Sequence, residues 1–256
     1  MSVAERRADT EAKKNSGGIG ETIKVIVQAL VIALVFRTFL FHPFNIPSES
    51  MLPTLKVGDY LFVSKFSYGY SRYSFPVDFS FIHGRVFGSE PKRGDVVVFR
   101  EPSHPDTDFI KRCIGLPGDK IQMRNSVLYI NGEPVKREQE ADFDGRNQYG
   151  QQGKIRRYRE TLPNGVSYDT LDMTDHGEMD NTLVYEVPPD HYFMMGDNRD
   201  NSEDSRYLDV VGYVPAENLV GRAERIFFSV DSEKAPAWQF WRWPWTLRLG
   251  RIFTKL

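Results

Sequence analysis

An apolar stretch from Glu21 to Phe41, ETIKVIVQALVIALVFRTFLF, constrains this chain more than any other feature. As a helix its roughly 21 residues would rise about 31 Å, the thickness of the hydrocarbon core, so the segment fits one bilayer crossing. Gln28 and Arg37 interrupt it. Arg37 lies near the far end, where its guanidinium can reach headgroup level while its stem stays in lipid. Arg6, Arg7, Lys13, Lys14 and Lys24 gather at the near end. Positive flanks of this kind stay in the cytoplasm, which puts everything after Phe41 on the other side; no second such segment follows. A cleaved secretory signal is the alternative, with Ser48-Glu49-Ser50 as its small residues. The length of the run, the interruption at Arg37 and the long charged lead-in favour a retained anchor.

Just beyond the span comes Phe44-Asn45-Ile46-Pro47-Ser48-Glu49-Ser50-Met51-Leu52-Pro53-Thr54-Leu55, two serines in a turn bounded by prolines. A serine fixed there, tethered at a membrane surface, suits a nucleophile for membrane-associated substrates if a base lies elsewhere in the chain.

Residues 1–20, charged and rich in small residues, read as a disordered cytoplasmic tail. After Leu55, short β-type runs are punctuated by Gly, Pro and Asn: Tyr60–Val63, Asp95–Arg100, Phe109–Ile114, Ile121–Met123, Val127–Ile130, Tyr192–Met195 and Arg225–Val230. This predicts one β domain over 42–236, with Asn131-Gly132 as a hairpin turn. Between about 139 and 186 the composition turns polar and glycine-spaced, which reads as an inserted subdomain or long hairpin. Residues 237–256 gather all four tryptophans with Arg242, Arg248, Arg251 and Lys255. Either these lie at the headgroups as a membrane-proximal segment, or the tryptophans pack on the β core.

Function classes narrow by charge and cysteine count. With 33 basic against 35 acidic residues and a net charge of −2, the chain has no basic field for nucleic acid. Its single cysteine, Cys113, excludes an intramolecular disulfide and a CxxC metal knuckle. None of His42, His83, His104, His176 and His191 stands in a recognisable catalytic or metal-ligand context. Ser89-Glu90-Pro91-Lys92 has SxxK spacing, but its proline-containing polar loop cannot bring hydroxyl and amine together as a helical turn does. Lys111 differs. In Phe109-Ile110-Lys111-Arg112-Cys113-Ile114 it shares a strand face with Phe109 and Cys113, and burial there would lower its pKa toward that of a usable base. The same pattern fits an edge-strand lysine that blunts aggregation. The cluster Gly196-Asp197-Asn198-Arg199-Asp200-Asn201-Ser202-Glu203-Asp204-Ser205-Arg206 fails as an EF-hand, with Ser205 at the sixth position from Asp200 and Val211 at the twelfth. It reads as a turn held by Asx bonds and carboxylate–arginine pairs.

Taken in order, five blocks resemble the type I signal peptidases, membrane-bound serine proteases that remove signal peptides. They are the anchor running into Pro47–Leu55; Gly58-Asp59-Tyr60; Arg93-Gly94-Asp95-Val96-Val97-Val98-Phe99; Lys111 through Asp119; and Gly196–Arg206. The resemblance implies a mainly β fold, a coiled, barrel-like antiparallel sheet with one N-terminal transmembrane helix. It implies that Ser50 is the nucleophile and Lys111 the general base. Ser48, with the backbone N–H of Ser50, would form the oxyanion hole, and Ser202 would orient the lysine amine. Asp197, Asp204, Arg206 and Arg112 would support the site. Its expected partners are preprotein signal peptides, cut after small residues of the Ala-x-Ala type held in shallow apolar pockets, and membrane lipid, with no cofactor or metal. The expected location is the bacterial inner membrane, single-pass, with the catalytic domain on the extracytoplasmic side.

Two positions depart from the family pattern. Glu49 replaces a common Gly and should point away from Lys111, since a facing carboxylate would favour the ammonium; Phe109 stands where Tyr is common. A self-cleaving Ser–Lys repressor-type peptidase is a rival with the same chemistry, which the anchor argues against. A noncatalytic anchored β domain that binds envelope components is the rival of another class.

Overall fold

The computed structural model describes residues 3–75, 84–146, 150–232, 234 and 236–256, with backbone alone for 3–19; His83 lies outside the described residues. Helix α1 runs Val3–Phe39. It therefore takes in most of the stretch expected to be a disordered tail. Ala, Glu, Arg and Lys at 4–14 are good helix formers, and a long apolar helix already nucleated downstream extends into them one hydrogen bond at a time. Gly20–Phe39 is long and apolar enough to cross a membrane, with mean hydropathy 1.9, and none of its most apolar window is buried against the protein.

The rest is antiparallel β structure. The strands are β1 (Phe41–Asn45), β2 (Asp59–Ser64), β3 (Val96–Arg100), β4 (Asp108–Gly115), β5 (Lys120–Arg124), β6 (Val127–Ile130), β7 (Glu133–Pro134) and β8 (Lys136–Gln139). They continue with β9 (Phe143–Arg146), β10 (Gln152–Thr161), β11 (Ser167–Asp172), β12 (Tyr185–Glu186), β13 (His191–Met195), β14 (Val214–Pro215) and β15 (Leu219–Ser229). All seven predicted strands form. The main sheet has the order β1-β2-β15-β3-β4-β13-β14 and a curled, half-barrel form. Register shifts along β15 and within β13 give it that bend, because a bulge adds local twist.

A second sheet, β12-β5-β6-β7, carries the predicted turn: Asn131 (φ 55°) and Gly132 (φ 87°) are both left-handed, as a two-residue primed hairpin demands. The polar insertion is the third sheet, β11-β10-β8 with β9 also on β10, and its first strand begins at Lys136.

Packing decides where the serine turn sits. Residues 46–58 link β1 to β2, and Ile46, Met51 and Leu55 from this link enter one core cluster with Leu61, Val96, Ile110 and Ile226. Met51 and Leu55 are almost completely buried, 1% and 0% exposed. Each contributes about 1.5–3 kcal/mol on burial, so the residue after Ser50 fixes the turn to the sheet. The link closes on itself where Ile46 N–H donates to Asp59 O (2.9 Å) and Gly58 N–H to Ile46 O (3.1 Å).

Candidate active site

β4 lies between β3 and β13, paired through Val97↔Lys111 and Met195↔Arg112. Lys111 is therefore on an interior strand, and the edge-strand alternative falls away. Consecutive side chains on a strand point to opposite faces, so Lys111 and Arg112 serve different places. Lys111 Nζ lies 2.6 Å from Ser50 Oγ, across 61 residues of sequence. Both side chains are buried, Lys111 to 3% exposure and Ser50 to 7%.

Desolvation pulls the Lys111 pKa down from 10.5 to about 8, with Asp204 opposing that shift and Arg206 adding to it. Glu203 and Asp197 are the other charges that oppose it. As an ammonium Lys111 donates to Ser50; as a neutral amine it can accept the serine proton. Phe109 puts its ring 5.4 Å from Lys111 Nζ.

Ser48 Oγ lies 3.3 Å from Ser50 Oγ, on an exposed residue. Ser202 lines the cavity, about 390 Å³, that Ser50 and Lys111 also line, but its buried hydroxyl has no hydrogen-bond partner. The expected bond from Ser202 to the lysine amine is thus not made. Glu49, Asn201 and Glu203 share this cavity with Phe109.

On the opposite face, Arg112 meets Asp197 through two bonds, Nε to Oδ1 at 2.8 Å and Nη2 to Oδ2 at 2.6 Å. Thr54 Oγ1 donates to Asp197 Oδ2 (2.6 Å), so this buried pair also holds the turn that follows Ser50. Asp204 accepts from Arg206 Nε and Nη2, both at 2.8 Å, and from Gly196 N–H at 2.9 Å. These bonds keep its carboxyl below the usual range despite full burial. Gly196 lies close under the site: a Cβ there would stand 2.6 Å from the Ser50 carbonyl oxygen and would collide with the Ser202 side chain.

Other parts were not singled out from the sequence. Asn198 N–H donates to Ser50 O (3.1 Å) and its Nδ2 to Glu49 O (3.1 Å), which pins the backbone of the serine turn. Arg199 reaches Glu160 of β10 through bonds of 2.9 and 2.6 Å, while Leu171 of β11 exchanges backbone bonds with Asp197 and Arg199. The insertion is thereby built into the 196–206 loop. Asp200 Oδ2 accepts from the N–H groups of Met173 (2.6 Å) and Thr174 (3.2 Å), an acceptor role that agrees with a turn. Arg251 bonds Asp59 at 2.5 Å and Thr54 O at 2.8 Å, tying a segment near position 250 to the same turn. Asn198, Arg199 and Thr54 lay within the recognised blocks, but nothing local marks their partners, which are over 30 residues away.

The family described as "Signal peptidase, peptidase S26" matches residues 19–228. A signal peptidase I of Rickettsia typhi is 40% identical over 247 residues, 89% of this chain and 90% of that one. The signal peptidase I of Rickettsia canadensis is 38% identical over 97% of both. A solved signal peptidase I from Enterococcus faecalis V583 shares 28% identity over 52% of this chain and 97% of that one, with a TM-score of 0.31. The family match and the Rickettsia relatives define a serine peptidase, a hydrolase of peptide bonds. The chain belongs to the signal peptidase family, peptidase S26, whose activity is signal peptide removal.

Proposed function

We propose that Ser50 and Lys111 carry out this cleavage as a two-residue acyl-transfer centre. The observation behind it is the 2.6 Å approach of a buried, pKa-lowered amine to a buried hydroxyl. Neutral Lys111 takes the Ser50 proton as Oγ attacks the scissile carbonyl, then gives that proton to the leaving amine. It next takes a proton from water as the water attacks the acyl-enzyme, and the proton passes to Ser50 as the new carboxyl terminus departs. Ser48 Oγ and the Ser50 N–H are the donors proposed for the oxyanion. Ser202, whose hydroxyl is unpaired and which lines the same cavity, is the residue proposed to orient the amine. Arg112, Asp197, Asp204 and Arg206 position the two strands and the loop. Cleavage after small residues of the Ala-x-Ala type is carried over from the family resemblance.

We also propose that α1 anchors the enzyme with its N-terminus in the cytoplasm and the β domain outside. In support, the span's apolar side chains are open to their surroundings, Ile32 at 68% and Leu30 at 64%, and only a lipid phase would cover them. An aromatic row continues from it through Phe36, Phe41, Phe62, Phe227, Tyr60 and Phe228 to Trp243, with neighbouring ring centroids 4.3–6.3 Å apart. Trp238, Trp241 and Trp245 are exposed at its far end, while Trp243 packs on Phe228.

The test is cleavage of a preprotein by the purified chain in detergent. Ser50→Ala and Lys111→Ala should each lower the rate by at least about 10³-fold while circular dichroism and melting stay native-like. Undiminished cleavage by either variant would overturn this assignment, whereas a noncatalytic anchored domain predicts no cleavage by the unaltered chain.

A further inference from the structure

The last turns of α1 and the adjoining strands enclose a cavity of about 300 Å³ that the proposed reaction leaves unused. Its wall is of two kinds: Leu34, Phe75 and Val220 are apolar, while Arg37, Lys65 and Arg100 are cationic. Among the described lining residues Asp108 is the one carboxylate; it sits 3.3 Å from Arg100 and also acts on Lys65, so three cations share a single counter-charge. Lys65 is 6% exposed, and its ammonium donates to a neutral carbonyl, that of Ser74, at 2.5 Å.

Gathering cations around a buried ammonium in excess of their counter-charge is costly. The strain of this crowding is visible in the neighbouring groups. Burial chiefly, and then Arg37 and Arg100, hold Lys65 below its ordinary pKa; burial chiefly, and then Lys65, Arg37 and Arg100, pull His42 down to about 4. Arg100 Nε and Asp108 Oδ1 are both buried with no well-formed hydrogen bond. A compact anion with several acceptor oxygens would accept from the donors of Arg37, Lys65 and Arg100 together.

Position selects among anions. The apolar stretch of α1 ends at Phe39, so a cavity built on Leu34 and Arg37 lies where hydrocarbon gives way to headgroups. We infer that this cavity receives the phosphate of a membrane phospholipid on Arg37, Lys65 and Arg100, its acyl chains running along the exposed apolar side of α1. The inference rests on the anchoring proposed above. It gives the β domain a fixed height over the bilayer, since the backbone N–H of Lys65 donates to Leu40 O just beyond the helix end (3.0 Å).

The experiment titrates the delipidated full-length chain in neutral detergent with dioleoylphosphatidylglycerol, read by native mass spectrometry, with dioleoylglycerol and inorganic phosphate as comparison probes. One phosphatidylglycerol should bind saturably, at least about tenfold more tightly than either probe, and Arg37→Gln and Arg100→Gln should each weaken it by about tenfold. Peptide cleavage in detergent should be unchanged in both variants. Arg37, an exposed residue, keeps the test open if Arg100→Gln fails to fold. Unchanged affinity in a folded variant, or equal retention of dioleoylglycerol, would overturn the proposal. Inorganic phosphate binding as tightly as the lipid would overturn the lipid source. Alkaline carbonate extraction separates the two readings: a chain that stays in the membrane without phosphate-dependent binding defeats the inference alone, and a chain that is extracted defeats the anchor as well.

Discussion

At the scale of the residue, Lys111 trades stability for basicity. Its folded pKa is depressed from 10.5 to about 8. Below pH 8 both folded and unfolded chains bind the proton, so the whole cost of burying the ammonium falls on the folded state. Between 8 and 10.5 only the unfolded chain holds the proton, and stability climbs with pH. The penalty is on the order of 3 kcal/mol, so Lys111→Met should abolish cleavage yet raise stability at pH 7, by denaturant titration, with the gain vanishing toward pH 10.5. Catalysis should follow the same group: kcat/KM should fall about tenfold per pH unit below an apparent pKa near 8, and a flat acidic limb in a folded enzyme would defeat the assignment. The strand pattern marked Lys111 without distinguishing a base from an edge charge. What distinguishes them is whether another strand covers β4, and that is settled by Met194 and Met195, some 80 residues downstream. Ser202 shows the opposite limit, since a motif places a side chain beside the site but does not give its rotamer.

At the scale of the element, the 196–206 loop is where separate sheets become one site. It holds the Ser50 backbone through Asn198 and the insertion through Arg199–Glu160, a pair in which the arginine is 5% exposed and the glutamate 1%. Removing one charge of such a pair leaves the other buried and uncompensated. Glu160→Gln should therefore cost about 3–5 kcal/mol and lower kcat although residue 160 lies outside the proposed chemistry, as a melting curve and steady-state kinetics would show. Gly196→Ala should lower kcat by about 10²-fold, because its Cβ would displace the backbone carbonyl of Ser50. The core strands were legible because their runs are apolar or alternate. Within the insertion, read only as a subdomain or long hairpin, the strands β10 and β11 were not, since cross-strand pairs such as Arg159–Asp169 and Arg156–Asp172 stand in place of an apolar face, leaving Ile155, Leu162, Tyr168 and Leu171 as the deeply buried hydrophobics of the hairpin. Strand bounds in such a segment are hard to read because its order comes from ion pairs that only the register creates.

At the scale of the whole molecule, anchor, aromatic row and tryptophans make one flank suited to a membrane surface. In vesicles, lipids brominated near the headgroup should quench most of the intrinsic fluorescence, and Trp238→Phe with Trp241→Phe and Trp245→Phe should remove most of that quenching. Persistence of the full effect with Trp243 alone would place the contact elsewhere. The apolar span and the clustered tryptophans were plain in the sequence; their alignment was not, because it depends on Phe227 and Phe228 projecting from a bulged strand. One long-range tie also bears on timing. Arg251 grips Asp59 and Thr54 across 192 and 197 residues. A ribosome making this chain extrudes the serine turn well before Arg251, so the turn is laid down without that brace while the residues between them are made. The tie can close only once β15 and the segment after it have been synthesised, which puts the bracing of the turn among the later steps of folding.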